Sequence, residues 1–236
     1  YVKYNSYGEF IFDWAWADAF ARAGGSYYPK LQCAAPFTPA TGPRLMVRPD
    51  APDPDGLRRA LVSGMVTLAE RLEASSVHIT FPTAEEATTM GEMGLLTRLG
   101  QQYHWENKGY ASFDDFLGAL SSRKRKSIRK ERERANSHGV RLHTLSGDAI
   151  QAEHWDAFYD FYQSTIDRKW GQAYLRREFF TLLGERMGDN VVLIMGEDEA
   201  TGALVCGALN LRGGDTLYGR NWGALGDYRF LHFEAC

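Results

Sequence analysis

Cysteine is scarce: Cys33, Cys206 and Cys236 are the three in 236 residues. Three scattered thiols exclude a disulfide framework and suit a reducing cytoplasm. No CxxC pair and no HExxH occurs, and the six histidines lack ligand spacing, so no metal site is expected. Long apolar runs are missing too. The longest candidate, Val191 to Met195, is far short of the roughly 20 residues that span a bilayer and reads as a buried strand. No stretch reads as a secretory leader. Proline is rare and unevenly spread, with six of the eight between Pro36 and Pro54, which marks that segment as a loop. Net charge is nearly absent, at −3.

What is present points to a folded chain. Hydrophobic residues make up 44% and charged residues 24%, a balance that argues against disorder. The length allows one large domain or two smaller ones. The small net charge conceals an asymmetry. Residues 121–141 carry nine basic side chains against Glu131 and Glu133, a local +7, and the remainder carries −10. The chain opens on a strand-like Tyr1 to Tyr4. It stops at Leu231 to Cys236, which resembles a helix barely begun. An internal piece of a longer protein is therefore expected.

Period and punctuation predict the elements. Strands are expected at Tyr7–Phe12, Lys30–Ala35, Leu45–Val47, Val77–Phe81 and Gln101–Trp105. Helices are expected at Trp14–Ala23 and Glu85–Leu96. Another follows Asp55, where Leu57, Leu61, Met65, Leu68 and Leu72 recur at three- and four-residue spacing. Ser112 to Asp115 is a capping-box variant opening a basic helix that runs to Gly139. Val140–Leu145 is then a strand. Helices follow at Ile150–Trp170 and Arg176–Met187. Three strands follow, at Asn190–Met195, Leu204–Leu211 and Thr216–Asn221, the last two joined through Gly213-Gly214-Asp215. A final helix starts near Tyr228. The second half thus reads β-α-α-β-β-β-α. Tyr7-Gly8 and Tyr218-Gly219 form a faint internal echo.

That order resembles the front half of the GNAT acyltransferase fold. SYGEFIFDWAWADAF at Ser6 to Phe20, YYPKLQCAAPFTPATG at Tyr27 to Gly42 and SSRKRKSIRKERERA at Ser121 to Ala135 carry a closer resemblance. So do RKWG at Arg168 to Gly171, LYGRNWG at Leu217 to Gly223 and FLHFEAC at Phe230 to Cys236. Together they are similar to the FemAB-like family of peptidoglycan biosynthesis or recognition proteins. The resemblance implies an α+β, tandem GNAT-like fold. Its parts would be the back of a first unit at 1–111, a basic connector helix at 112–139 and the front of a second unit at 140–236. It implies N-acyl transfer from acyl-CoA or aminoacyl-tRNA to an amine, such as one on a peptidoglycan precursor.

The resemblance also locates the chemistry. Acyl transfer needs positioning and donors for a developing oxyanion, with a base for the amine proton where one is used. Tyr218, His232 and Glu234 are the candidate catalytic residues. Arg220, Asn221, Trp222, Gly223 and Gly226 are the candidate donor-binding set, in which the second small residue of the GNAT loop comes one place late. His232 and Glu234, two apart on a helix, point in different directions, so at most one faces the site. Arg168, Lys169 and Trp170 close the long helix, as a clamp for a phosphate or carboxylate or as a plain helix end. Asp13 and Trp16 could line the acceptor site or be core. Arg123, Lys124, Arg125 and Lys126 head the basic helix. They read first as a connector with anion-binding capacity, second as a nucleic-acid contact and third as a solvated face. A non-catalytic module that recognises cell-wall precursors or RNA is the rival to the enzyme.

Overall fold

A computed structural model of the chain describes residues 1–168 and 173–236. The chain divides into two compact units, Tyr1–Trp105 and Glu106–Cys236. Both mix helices and strands, and antiparallel pairing dominates.

The first unit carries a three-stranded sheet of β1 (Val2–Lys3), β2 (Lys30–Cys33) and β3 (Val77–Ile79) in that order. β1 runs antiparallel to β2, and β2 runs parallel to β3. Helix α1 (Trp14–Arg22) lies between β1 and β2, α2 (Pro54–Arg71) between β2 and β3, and α3 (Ala84–Glu92) follows β3. Asp53 caps α2 by accepting from the Gly56 amide, and Thr83 with Glu86 forms a capping box on α3. Glu86 does more than cap. Its carboxylate also accepts from the Arg44 and Leu45 amides, pinning the proline-rich loop. Burial alone would raise its pKa, but these amide bonds hold it below the ordinary glutamate value. The unit's core is small: Leu45, Val62 and Met90, with Met65, Ile79, Met93 and Leu95 against them.

Several expectations fail in this unit. Residues 7–12 form turns instead of a strand, with Gly8 at φ +76° and Phe10 at φ +58°, so the Tyr7-Gly8 echo of Tyr218-Gly219 is lost. Residues 45–47 and 101–105 are not strands either. The leucine stripe of α2 faces outward: Leu57, Leu61, Leu68 and Leu72 are exposed, while Val62 and Ala69 are buried. The packed line lies about one residue round the helix from the line the spacing suggested.

The second unit follows its expected order. After α4 (Phe113–Gly118) and α5 (Ser122–Asn136) come β4 (Val140–Leu145), α6 (Ala152–Arg168) and α7 (Arg177–Met187). Then follow β5 (Val191–Asp198), β6 (Leu204–Gly213), β7 (Thr216–Ala224) and α8 (Leu231–Ala235). The expected single helix over 112–139 is two helices, because Ser112 and Ser121 each cap a new start with a side-chain oxygen. β4 to β7 form one antiparallel sheet in sequence order, with β7 at the edge. On one face pack Trp155, Phe158, Phe161 and Tyr162 of α6 and Phe180 and Leu183 of α7, over Val191, Leu193, Met195 and Leu209. On the other lie Ala135 of α5 and Leu231 of α8, with Cys206 and Ala224. Burying these aromatic side chains stabilises the unit by roughly 1.5–3 kcal/mol each.

Candidate functional site

In the second unit the candidate residues cluster around β7. Gly219 pairs with Asn210 and Asn221 with Leu209, so Arg220 is an extra residue, a β-bulge. Its guanidinium meets the Tyr174 hydroxyl at 3.3 Å. Past the bulge the strand alternates cleanly. Gly223 lies under α6, where a Cβ would fall 2.1 Å from the Phe161 carbonyl oxygen. Trp222 packs on the opposite face, with its ring 6.4 Å from that of His232. The proposed donor-binding set therefore divides between two faces of the sheet.

The edge itself is informative. The Leu225 amide donates to the Val205 carbonyl, so Gly223 and Leu225 turn their backbone groups toward β6 and the groups of Trp222 and Ala224 face the open edge. Side chains of α6 take up the outward carbonyls. Thr165 donates to Trp222 O at 3.1 Å and Ser164 to Ala224 O at 2.9 Å. Arg168 also donates to Ala224 O, and to Gly226 O at 3.4 Å. The outward Trp222 and Ala224 amides have no strand beyond them among the described residues. Nearby, the Asn221 Oδ1 is buried without a partner among the described residues. An edge with its acceptors satisfied and its donors open is suited to an oxygen that gains negative charge.

The other candidates fall as follows. Tyr218 is exposed, in the half of β7 before the bulge. His232 is exposed, its ring tilted 39° to that of Phe233 with the centres 3.8 Å apart. Glu234 is engaged: Arg132 Nε donates to its two oxygens at 3.1 and 2.8 Å, and Nη2 donates to Oε1 at 2.5 Å. That guanidinium lies 4.0 Å from the centre of the Phe113 ring, which fastens α8 to α5 and α4. Lys169 and Trp170 lie outside the described residues. Arg123, Lys124 and Lys126 are exposed on α5, with no carboxylate in ion-pair range among the described residues, whereas Arg125 donates to Leu120 O at 3.2 Å. Arg129 and Arg132 border a cleft of about 310 Å³ with Ser112, Phe113, Asp114 and Leu117. Among the described residues no group of His, Cys, Asp and Glu could hold a metal ion, and no helix is long and apolar enough to cross a membrane.

The first unit holds a feature the sequence did not disclose. Lys30, at 0% exposure on β2, is fully buried between Glu9 and Asp13. It donates to Glu9 Oε2 at 2.7 Å and to Asp13 Oδ2. Arg98 donates to the other oxygen, Asp13 Oδ1, at 2.8 Å, and His78 Nδ1 stands 3.8 Å from Oδ2. Burial opposes ionisation of Asp13, but Lys30 and Arg98 outweigh it and hold the carboxyl below its ordinary pKa. Burial, and then Asp13, push the Tyr27 hydroxyl upward. The sequence signal was thin: two acids four apart beside an aromatic helix, and a lysine on a short strand.

His78 gives this cluster a pH signature. Burial first, then Lys30, lowers its pKa from 6.5 to about 4, so the ring is neutral in the fold. Between those values the unfolded chain binds a proton that the fold excludes. Stability should fall by up to about 3 kcal/mol as pH drops through that window. The lowered Asp13 and Glu86 add their losses only further down, in the carboxylate range. Urea unfolding from pH 7 to 4.5 should show this slope, and His78→Gln should flatten it. A wild-type curve already flat over the window would refute the assignment.

The FemAB-like family, described as peptidoglycan biosynthesis/recognition, matches residues 1–236. No curated protein matches the chain. Among solved structures, that of L-PGS from Bacillus licheniformis is similar at a TM-score of 0.44 and 10% identity. The match covers 74% of this chain and 53% of that one, so the chain spans about half the length of that protein.

Proposed function

The chain belongs to the FemAB-like family, and from that premise we propose that it is part of a transferase moving an acyl or aminoacyl group onto an amine, of the kind a peptidoglycan precursor presents. In this reading both units are GNAT-like. The observation that carries it is the open edge of β7, where the Trp222 and Ala224 amides point outward while α6 has covered the matching carbonyls. A thioester or ester carbonyl seated there would meet two peptide donors as its oxygen becomes an oxyanion, without reorganisation of the strand. With Glu234 tied to Arg132, His232 is the side chain left to take the amine proton. The donor is acyl-CoA or aminoacyl-tRNA. The uncompensated cations Arg123, Lys124 and Lys126 support the second, since a polyphosphate backbone recruits such a surface.

The test offers the purified protein acetyl-CoA or aminoacyl-tRNA with a mixture of amines, including peptidoglycan precursors, and follows the acylated amine by mass spectrometry. Trp222→Pro deletes one outward amide without breaking a ladder bond, since proline is tolerated on an edge. It should lower transfer about 100-fold relative to Trp222→Phe, the scale of one lost oxyanion donor. Equal rates in the two folded variants would remove the β7 edge from the chemistry. Absence of transfer from both donors would remove the enzyme reading.

A further inference from the structure

The buried cluster of the first unit carries more charge than it can neutralise. Lys3, Lys30 and Arg98 face Glu9 and Asp13, three cations against two carboxylates. His78, neutral in the fold, adds no charge to either side. The surplus falls on the outermost member. Lys30 and Asp13 are fully buried, whereas the Arg98 side chain is 43% exposed.

Arg98 is also held in a fixed attitude. One edge of its guanidinium is bound through Nη1 to Asp13 Oδ1, and its Cζ lies 5.2 Å from the centre of the exposed Trp16 ring. Among the described residues its Nε and Nη2 make no hydrogen bond, which leaves the fork that matches an oxyanion open. Asp13 gives up a local role to do this. It occupies the N-cap of α1, a place where aspartate normally accepts from the helix amides, yet its side chain makes no cap bond. A buried ion cluster is seldom more stable than apolar packing of the same volume, so stability alone gives little reason for it. Orientation of a guanidinium does.

We infer that Arg98, braced by Asp13 and walled by Trp16, is the reading group of a binding site for a small oxyanion, a carboxylate or phosphate group on a ligand whose body lies along Trp16. Asp13 is here a positioning residue, and Lys30 fixes Asp13 from behind. The site lies wholly within the first unit and does not depend on acyl transfer by the second.

Benzoate and phenyl phosphate share a ring and differ in the oxyanion, and benzyl alcohol has the ring alone. Titrated into the protein at low salt and followed by tryptophan emission, one or both anions should saturate, and whichever binds tighter identifies the oxyanion. Benzyl alcohol should not saturate. Arg98→Ala should weaken anion binding at least about tenfold, and Arg98→Lys should retain part of it. Asp13→Asn should weaken it less than Arg98→Ala, with the salt dependence retained because the cation stays. Thermal melts of each variant separate loss of binding from loss of fold. Failure of both anions to saturate by about 10 mM with the wild type folded, equal binding by benzyl alcohol, or undiminished binding by folded Arg98→Ala would each overturn the site.

Discussion

Asp13→Ala should cost about 3–5 kcal/mol, the range for removing one partner of a buried ion pair. Two buried or half-buried cations lose their shared acceptor at once. Among the described residues Lys30 keeps one carboxylate, Glu9, with the Tyr27 and Tyr28 rings 5.9 Å away, and Arg98 keeps its contact with Trp16. No water replaces the carboxylate at a position with 0% exposure unless the site opens. Asp13→Asn keeps the volume and one acceptor oxygen and should cost less. The decisive measurement is a double-mutant cycle with Lys30→Met, read by urea unfolding through tryptophan emission. The two losses should fall well short of additive, because each single variant strands the other's charge. Additive losses, or a single loss below about 1 kcal/mol, would show that the cluster is not a coupled unit.

Gly223→Ala should destabilise the second unit by about 3 kcal/mol, the upper part of the usual overpacking range. The added methyl would sit 2.1 Å from the Phe161 carbonyl oxygen and 2.3 Å from its carbon. Those are backbone atoms of α6 and cannot rotate aside. The helix would have to lift from β7, and Thr165 and Ser164 would lose the Trp222 and Ala224 carbonyls. Transfer should fall with stability, since the same contacts hold the β7 edge. Gly219→Ala on the same strand is the control, because its nearest neighbour would be Asn210 Oδ1 at an ordinary 3.7 Å. A melting temperature within a degree or two of that control would mean that α6 does not bear on Gly223.

The legibility of the second unit has a physical cause. Its signals are long and local: Trp155, Phe158 and Tyr162 recur at helical spacing, and the β6–β7 strands flank a two-residue turn, so pattern and structure coincide. The first unit was harder to read because its decisive interactions are charged and distant in sequence. Residues 7–12 carry the composition of a strand, yet Glu9 and Asp13 both reach Lys30 Nζ, and an extended backbone would set them about 13 Å apart. The α2 leucines are periodic, but period fixes a stripe and leaves open which neighbours exist to cover it. Glu234 illustrates the same limit at the candidate site. A glutamate beside a histidine reads as a base, and only the fold brings Arg132 against it, 102 residues earlier in the chain.

The sequence by itself determined the class of the chain, the order of its second-unit elements and, through quoted stretches such as SSRKRKSIRKERERA, its family. Those properties rest on local periodicity and on residue strings, which a one-dimensional text preserves. Only the tertiary structure decided which groups are spent and which are open. It tied Glu234 to Arg132, placed Gly223 under α6, turned two β7 amides outward and gathered four charged groups around Lys30, leaving one cation of the five unmatched. Each of those outcomes depends on distance and burial between residues far apart in the chain: steric energy is set by distance, and electrostatic energy by distance and by the dielectric that burial creates.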